Sequence, residues 1–355
     1  MLPLFTVFKK LGEVLPYRRL GTFPTPVSAM PTLTKTLGGP DLFIKRDDLS
    51  GPLYGGNKIR KLEFVLADAL KKNCKRVITS GAAGSNHALA TALYSKQCGI
   101  QPTLMLFEQP PSPAIGPTLL ADFATKAEMH HDSTYTSHLK HIQKIRESCT
   151  GQDGSTPYII PAGGSSVLGA TGFVNAAFEL REQIDGGQIP QPDTIYAALG
   201  TMGTAVGLLL GLKAAQLSTR LVAVQVVPDV VANPDLFATF YQQLNIFLNQ
   251  QDPAFPILPL SPEDVTITTD FLGEGYGFST PEAREAISLF KDNESISLDP
   301  VYTGKTAAGM VSHCRNERSG KILFWNTKSS VFPETASVDY HDLPKSFHHY
   351  FKNQK

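Results

Sequence analysis

Short apolar runs alternate along this chain with glycine-bearing turns and with segments whose apolar residues recur every three or four positions. Leu42–Lys45 reads as a strand, and Ile59, Leu62, Val65, Leu66 and Ala69 share one face of a helix over Asn57–Leu70. Arg76–Ser80 predicts a strand, Gly81–Gly84 a turn and Asn86–Gln97 a helix, followed by a strand at Thr103–Phe107. Tyr158–Pro161 leads through Gly163 and Gly164 to a helix near Thr171–Gln183. The pattern then repeats as strand Thr194–Leu199, turn Gly200–Gly203, helix Thr204–Gln216 and strand Leu221–Val227. Thr280-Pro281-Glu282 starts a further helix, with a hydroxyl cap and proline at the first helical position, and Lys321–Trp325 is a late strand. The proline-rich stretches Glu108–Pro117 and Gln250–Pro262 read as loops. Strands alternating with helices imply an α/β fold of parallel sheets covered by helices. Ligands in such folds sit at the carboxyl ends of the strands, where the glycine turns fall.

Charge and composition narrow the function. Lys plus Arg and Asp plus Glu both number 32, so the formal net charge is +0, without the basic surplus of a nucleic-acid binder. At 355 residues and 42% hydrophobic, the chain has room for about two domains with real cores. The longest oily stretch, Ala205–Leu212, is too short to span a bilayer. The N-terminal charges follow the apolar residues, the reverse of a signal peptide, so a cytoplasmic protein is expected. The four cysteines, Cys74, Cys98, Cys149 and Cys314, form no CxxC pair, so reduced thiols and no metal site are expected.

Four stretches carry candidate chemistry. In Gly55-Gly56-Asn57-Lys58-Ile59-Arg60-Lys61, two glycines turn the chain into a helix whose first turn holds Lys58. A cation is unfavourable there unless it binds a phosphate or is neutralised as a Schiff base, and the plain alternative is a solvated lysine. Ser80-Gly-Ala-Ala-Gly-Ser85-Asn86-His87 offers small residues, a hydroxyl and an amide, or an ordinary helix cap with a structural histidine. Gly200-Thr201-Met202-Gly203-Thr204 would aim free N–H groups at a phosphate, or is a plain tight turn; it matches neither the dinucleotide fingerprint nor the P-loop. Tyr302, in Asp299–Lys305, and Tyr276, in a Gly-Glu-Gly-Tyr-Gly run, are either proton donors or packed tyrosines.

Taken in order, these stretches resemble the fold-type-II pyridoxal-phosphate enzymes, specifically the group of 1-aminocyclopropane-1-carboxylate deaminases and D-cysteine desulfhydrases. The likeness runs from Phe23-Pro24-Thr25-Pro26 through Lys45-Arg46-Asp47-Asp48 and Gly55–Lys61, then Ser85-Asn86-His87, Pro161-Ala162-Gly163-Gly164, Gly200–Thr204 and Asp299–Lys305. It implies a two-domain fold like that of the tryptophan synthase β subunit, with parallel twisted sheets flanked by helices. A small domain near residues 66–170 would be inserted in a large one made of residues 1–65 and 171–355. It also implies pyridoxal 5′-phosphate as cofactor, a small amino-acid substrate and a homodimer, with no nucleic-acid or membrane partner. By the same likeness Lys58 holds the cofactor covalently and Asn86 bonds its ring hydroxyl. Gly200, Thr201, Met202, Gly203 and Thr204 form the phosphate loop, with Lys61 as a second phosphate contact. Ser85, Asn86 and His87 lie on the substrate side, and Tyr276 and Tyr302 match the two active-site tyrosines. Lys58, Ser85, Tyr276 and Tyr302 are thus the catalytic candidates.

Two positions separate the members of the group. The deaminases carry a glutamate after the matching tyrosine, where this chain has Thr303, and a leucine where it has Thr327; the desulfhydrases carry small hydroxyl residues at both. A carboxylate at the cofactor's ring nitrogen keeps it protonated, which a hydroxyl does far less. Opening a cyclopropane needs that stronger electron sink, whereas hydrosulfide is a competent leaving group. Thr303 and Thr327, both candidate cofactor contacts, therefore favour elimination of sulfide from D-cysteine. Deamination of 1-aminocyclopropane-1-carboxylate and silent binding of pyridoxal phosphate are the alternatives. The chain departs from the family pattern at Asn326-Thr327-Lys328-Ser329, where His-Thr-Gly-Gly is usual. It departs also at Met202, bulkier than the usual residue, and at Gly84, where the loss of a glutamine is expected to enlarge the substrate side.

Overall fold

The computed structural model describes residues 1–150, 155–317, 319–335 and 338–352, and of residues 135 and 136 only the backbone. Its strands are β1 (Val27–Ala29), β2 (Asp41–Lys45), β3 (Arg76–Ala82), β4 (Gln101–Phe107), β5 (Glu128–Asp132), β6 (Tyr158–Ile160), β7 (Thr194–Leu199), β8 (Arg220–Gln225), β9 (Val265–Thr268) and β10 (Lys321–Trp325). They form a six-stranded sheet in the order β1-β2-β10-β7-β8-β9 and a four-stranded sheet in the order β5-β4-β3-β6. Every pairing is parallel except β1 with β2, where Val27 faces Lys45. The central strands are near-continuous apolar runs such as β8, buried in five of six positions, because helices cover both faces.

The topology sets the site. In the four-stranded sheet the chain steps from β3 to β4 to β5 and returns to the other side of β3 with β6. In the six-stranded sheet it steps from β7 to β8 to β9 and returns beside β7 with β10. Each reversal opens a crevice at the carboxyl ends of two neighbouring strands. One cavity of about 520 Å³ draws on both, since Ser80–Ala82 and Ala162–Gly163 line it from one sheet and Ala198, Gly200 and Thr327 from the other.

Helix Lys58–Lys71 joins the two layers. It packs against helix Val167–Asp185 so closely that a Cβ on Gly172 would stand 2.0 Å from the Arg60 carbonyl oxygen. A buried ionic cluster fastens this contact. Arg60 donates through Nε and Nη2 to both oxygens of Asp47 (2.9 and 2.7 Å) and through Nη1 and Nη2 to Glu179 (2.9 Å each). Lys45 Nζ reaches Glu179 at 2.6 Å, and Trp325 Nε1 donates to Asp47 at 2.8 Å. Two cations and two anions balance, with hydrogen bonds on all four, so the desolvation cost is offset.

Several expectations change in detail. β3 runs two residues past Ser80, and the helix expected from Thr204 begins at Gly203 and ends at Ala214. The proline-rich stretch after Glu108 turns into helix Ile115–Ala124 at its end. Strand β5 and helices Tyr135–Cys149, Pro234–Gln251 and Thr303–Asn316 were not anticipated. The boundaries expected at residues 65/66 and 170/171 fall inside helices Lys58–Lys71 and Val167–Asp185. All four cysteines are free thiols. Among the described residues no helix is long and apolar enough to cross a membrane.

Candidate active site

The floor of the cavity is the start of helix Lys58–Lys71. Lys58 Nζ donates to Asn57 Oδ1 at 2.9 Å, and Asn57 Nδ2 donates to Thr204 Oγ1 at 2.9 Å. Burial lowers the Lys58 ammonium to about 8, against the opposing pull of Asp299. Lys61, one turn on, is held by Gly163 O and Ser165 Oγ at 3.1 Å each. Its charge is disfavoured by burial and then by Lys58, which push it well below an ordinary lysine. Among the described residues neither lysine has a carboxylate partner.

Opposite Lys61 is the start of helix Gly203–Ala214. No side chain caps it and no acidic residue occupies its first turn, so its N–H groups and dipole favour an anion. Met202 holds the turn in the left-handed region at φ 65°, a conformation that costs a non-glycine residue about 1 kcal/mol or more. Ser165 Oγ bridges the cradle, 2.7 Å from Thr201 Oγ1 and 3.3 Å from Gly203 N. Gly163 must lack a side chain here, since at its φ of 67° a Cβ would stand 2.0 Å from Thr201 Oγ1. Hydroxyls, backbone amides, a helix end and a lysine without a counter-ion together make a pocket for a multiply charged oxyanion such as a phosphate.

The second sheet supplies the other wall. Ser85 caps helix Asn86–Gln97 by accepting from Ala88 N at 3.2 Å. Asn86 Oδ1 accepts from Tyr54 Oη at 2.6 Å, which fixes the amide and aims its NH₂ group. His87 Nε2 lies 2.8 Å from Thr79 Oγ1; burial, then Lys58 and Lys61, hold the ring well below an ordinary histidine, hence neutral. Across the cavity Tyr276 Oη and Tyr302 Oη are 2.8 Å apart. Burial, and for Tyr302 also the Tyr276 hydroxyl, raise both, so they remain protonated donors. Lys305 clamps the Tyr276 loop by donating to Leu272 O and Gly275 O, both at 2.8 Å.

The cavity thus gathers Lys58, Lys61, Ser85, Asn86, His87, Tyr276 and Tyr302 from the sequence reading. Gly200, Thr201, Met202, Thr204 and Thr327 also line it. Two of the expected residues do not. Gly203 is not among the lining residues: its N–H is donated to Thr201 O at 2.8 Å and Ser165 Oγ at 3.3 Å, and its lack of a Cβ leaves room for Ser165 and Lys61. Thr303 is a correction: it is buried in the first turn of helix Thr303–Asn316, and its hydroxyl donates to Asp299 Oδ2 at 2.7 Å. Of the two threonines only Thr327 faces the cavity. The expected enlargement at Gly84 is also corrected. Gln109 accepts from Gly84 N at 3.0 Å, and its amide lies 3.3 Å from where a Cβ at 84 would be, so another glutamine fills that space.

Sequence reasoning missed a polar chain on the substrate wall. Ser80 Oγ lies 2.9 Å from His138 Nε2, His138 Nδ1 lies 3.1 Å from Asp132 Oδ2, and Ser80 and His138 both line the cavity. Ser165, Tyr54 and Asp299 were also missed as site residues. Asp299 alone carried a signal, an Asp-Pro before the tyrosine stretch. Lys328 lines the cavity too, donating to Ser329 O at 3.3 Å, so the Asn326–Ser329 departure places a cation at the mouth.

Comparison with known proteins agrees with this geometry. The family model described as pyridoxal-phosphate dependent enzyme matches residues 18–328. The chain is 35% identical over 314 residues to a D-cysteine desulfhydrase of Klebsiella pneumoniae (strain 342), covering 86% of this chain and 91% of that one. It is 34% identical, over the same shares, to the D-cysteine desulfhydrase of Salmonella typhimurium (strain LT2). A crystal structure of an ACC deaminase homologue superposes with a TM-score of 0.77 at 31% identity, covering 92% of this chain and 95% of that one. Threonine deaminase isoform 2 from Solanum lycopersicum, at 15% identity and a TM-score of 0.60 over 98% of this chain and 87% of its own, shares the fold.

Proposed function

The chain belongs to the pyridoxal-phosphate dependent enzymes, and from that premise we propose that it catalyses α,β-elimination on D-cysteine, releasing pyruvate, hydrogen sulfide and ammonia. The observation that carries the reading is Lys58: a lysine lowered to about 8 by burial, without an ion-pair partner among the described residues, in one cavity with a protonated tyrosine pair.

The site fits the cofactor part by part. The cradle of Thr201, Gly203, Thr204, Ser165 and Lys61 would hold its phosphate, Asn86 its ring hydroxyl, Lys58 its aldehyde carbon, and Thr327 the ring-nitrogen side. Bound there, pyridoxal phosphate supplies the electron sink for charge developing at the substrate's α-carbon. The protein's own residues do the rest. The Ser85 turn and the start of helix Asn86–Gln97 bind the substrate carboxylate through N–H groups and the helix dipole. Neutral His87 adds no competing charge. Lys58 Nζ accepts the α-proton. As the Cβ–S bond breaks, the Tyr276–Tyr302 pair donates a proton to the departing sulfur. The released three-carbon enamine takes up water and yields pyruvate and ammonia. A hydroxyl at Thr327, in place of a carboxylate, suits a reaction whose leaving group is already good.

In this reading the four-stranded layer is the small inserted domain near residues 66–170 and the six-stranded layer the large one. The working enzyme is a cytoplasmic homodimer. A second reading, deamination of 1-aminocyclopropane-1-carboxylate to 2-oxobutyrate and ammonia, draws on the likeness to the ACC deaminase homologue. The test supplies cofactor-loaded enzyme separately with D-cysteine, L-cysteine and the cyclopropane and identifies the keto acid. Pyruvate with equimolar sulfide from D-cysteine is expected. 2-Oxobutyrate from the cyclopropane, with none of that pyruvate, overturns the assignment.

A further inference from the structure

Beside the edge strand of the four-stranded sheet, outside the residues that line the cavity, three side chains from separate parts of the chain converge. Glu108 follows β4, His131 lies in β5, and His349 opens the last helix, His349–Lys352. We propose that Glu108, His131 and His349 form a binding site for a divalent transition-metal cation of the zinc class.

Their ligand atoms all lie within 4.8 Å of one another. His131 Nε2 is 3.0 Å from Glu108 Oε2, and His349 Nε2 is 3.2 Å from Glu108 Oε1. Ligands about 2.0–2.1 Å from a tetrahedral ion stand roughly 3.3 Å apart, close to both histidine–carboxylate separations, so small side-chain adjustments would let the group share one. His131 supplies the second, independent observation. Its side chain is only 8% exposed, and among the described residues its Nε2 has Glu108 Oε2 as an ion-pair neighbour at 3.0 Å but makes no aligned hydrogen bond. A buried nitrogen left in that state costs stability that a cation would return.

The surroundings fit ligation. Tyr350 Oη donates to Glu108 Oε1 at 2.7 Å, orienting the carboxylate as an outer-shell partner does. Phe347 packs its ring 5.2 Å from that of His131. Two imidazoles, one carboxylate and a fourth position open to water match a three-ligand zinc set. Sequence spacing hid the group, since its members stand at 108, 131 and 349.

The bound cation would tie the C-terminal helix to the loop leaving β4. That loop bears directly on the cavity: Gln109 holds Gly84, next to Ser85, and Pro110 abuts Gly277, next to Tyr276.

The test uses full-length, cofactor-loaded enzyme stripped with EDTA. Zn²⁺ is titrated by calorimetry, and Co²⁺ is added as a spectroscopic probe. One Zn²⁺ per chain and the intense visible bands of four-coordinate Co²⁺ are expected. His349→Ala, at an exposed position, should weaken Zn²⁺ at least tenfold and abolish the Co²⁺ bands, and His131→Ala should do the same. Absence of binding, or binding equally tight in His349→Ala, overturns the proposal.

Discussion

Lys58, Arg60 and Lys61 lie within one turn of one helix and carry the same formal charge, Arg60 and Lys61 buried and Lys58 half-buried at the cavity, yet the fold treats them in opposite ways. Arg60 points to the back of the helix, where Asp47 and Glu179 meet its fork with four hydrogen bonds. Burial disfavours its charge, but those two carboxylates more than restore it. Lys58 and Lys61 point to the front, where among the described residues no carboxylate pairs with them, and burial lowers both. The back of the helix is neutralised within the chain and acts as structure. The front keeps its cations unpaired, and a dianionic, electrophilic cofactor completes it. An unneutralised buried cation is costly to a folded chain, so its persistence beside an uncapped helix end marks where a ligand belongs.

The comparison can be broken from either side. The largest effect falls on the front face: Lys58→Ala should lower turnover by about 10³-fold or more and remove the absorbance of covalently held cofactor, while the unfolding midpoint of the apoprotein barely moves. Turnover close to wild type would end the assignment of Lys58. Next, Arg60→Ala leaves two buried carboxylates, Asp47 and Glu179, with Lys45 as the one cation of the cluster and should cost about 3–5 kcal/mol, read by denaturant unfolding of the apoprotein. A loss below about 1 kcal/mol would show that the cluster holds nothing together.

Acid should act through the same cluster. Burial works to raise Glu179, but Arg60 and Lys45 hold it at about 2. Its folded value lies below the ordinary glutamate value of about 4.3, so its contribution is present above that pH and is lost as pH falls toward about 2. Glu179→Gln should be less stable at neutral pH and show a flatter stability profile across that window; parallel profiles would contradict the pairing. The smallest effect is kinetic. Capture of cofactor by the apoprotein needs an uncharged Lys58, so its rate should climb with pH through about 8 and then level off. A rate flat from pH 6 to 9 would mean that burial does not tune this amine.

The two faces were unequally legible. The front could be read because its chemistry is written in contiguous stretches: Gly55–Lys61, Ser85–His87 and Gly200–Thr204 each hold their residues in one turn, and all reach the cavity. The alternation of apolar runs also gave the order of the main strands and helices. The back joins Lys45, Asp47, Arg60, Glu179 and Trp325 across up to 278 positions, and no local spacing reports such a cluster. The Ser80–His138–Asp132 chain was hidden for the same reason, as was the place of Gln109. Thr303 misled because adjacency to Tyr302 suggests a shared site, whereas at a helix start successive side chains point about 100° apart, and Thr303 turns back onto Asp299. Helix Pro234–Gln251 did carry its signal, an Asn233 cap before a proline, which went unread.

The most direct measurement is the unfolding of Lys61→Met apoprotein, alone and during titration with pyridoxal phosphate, beside wild type. Removing an unpaired buried cation should leave the apoprotein within about 1 kcal/mol of wild type, while cofactor affinity falls roughly tenfold or more with the loss of a charged phosphate contact. An apoprotein destabilised as severely as Arg60→Ala, with cofactor affinity unchanged, would contradict the division of this helix into a structural face and a cofactor face.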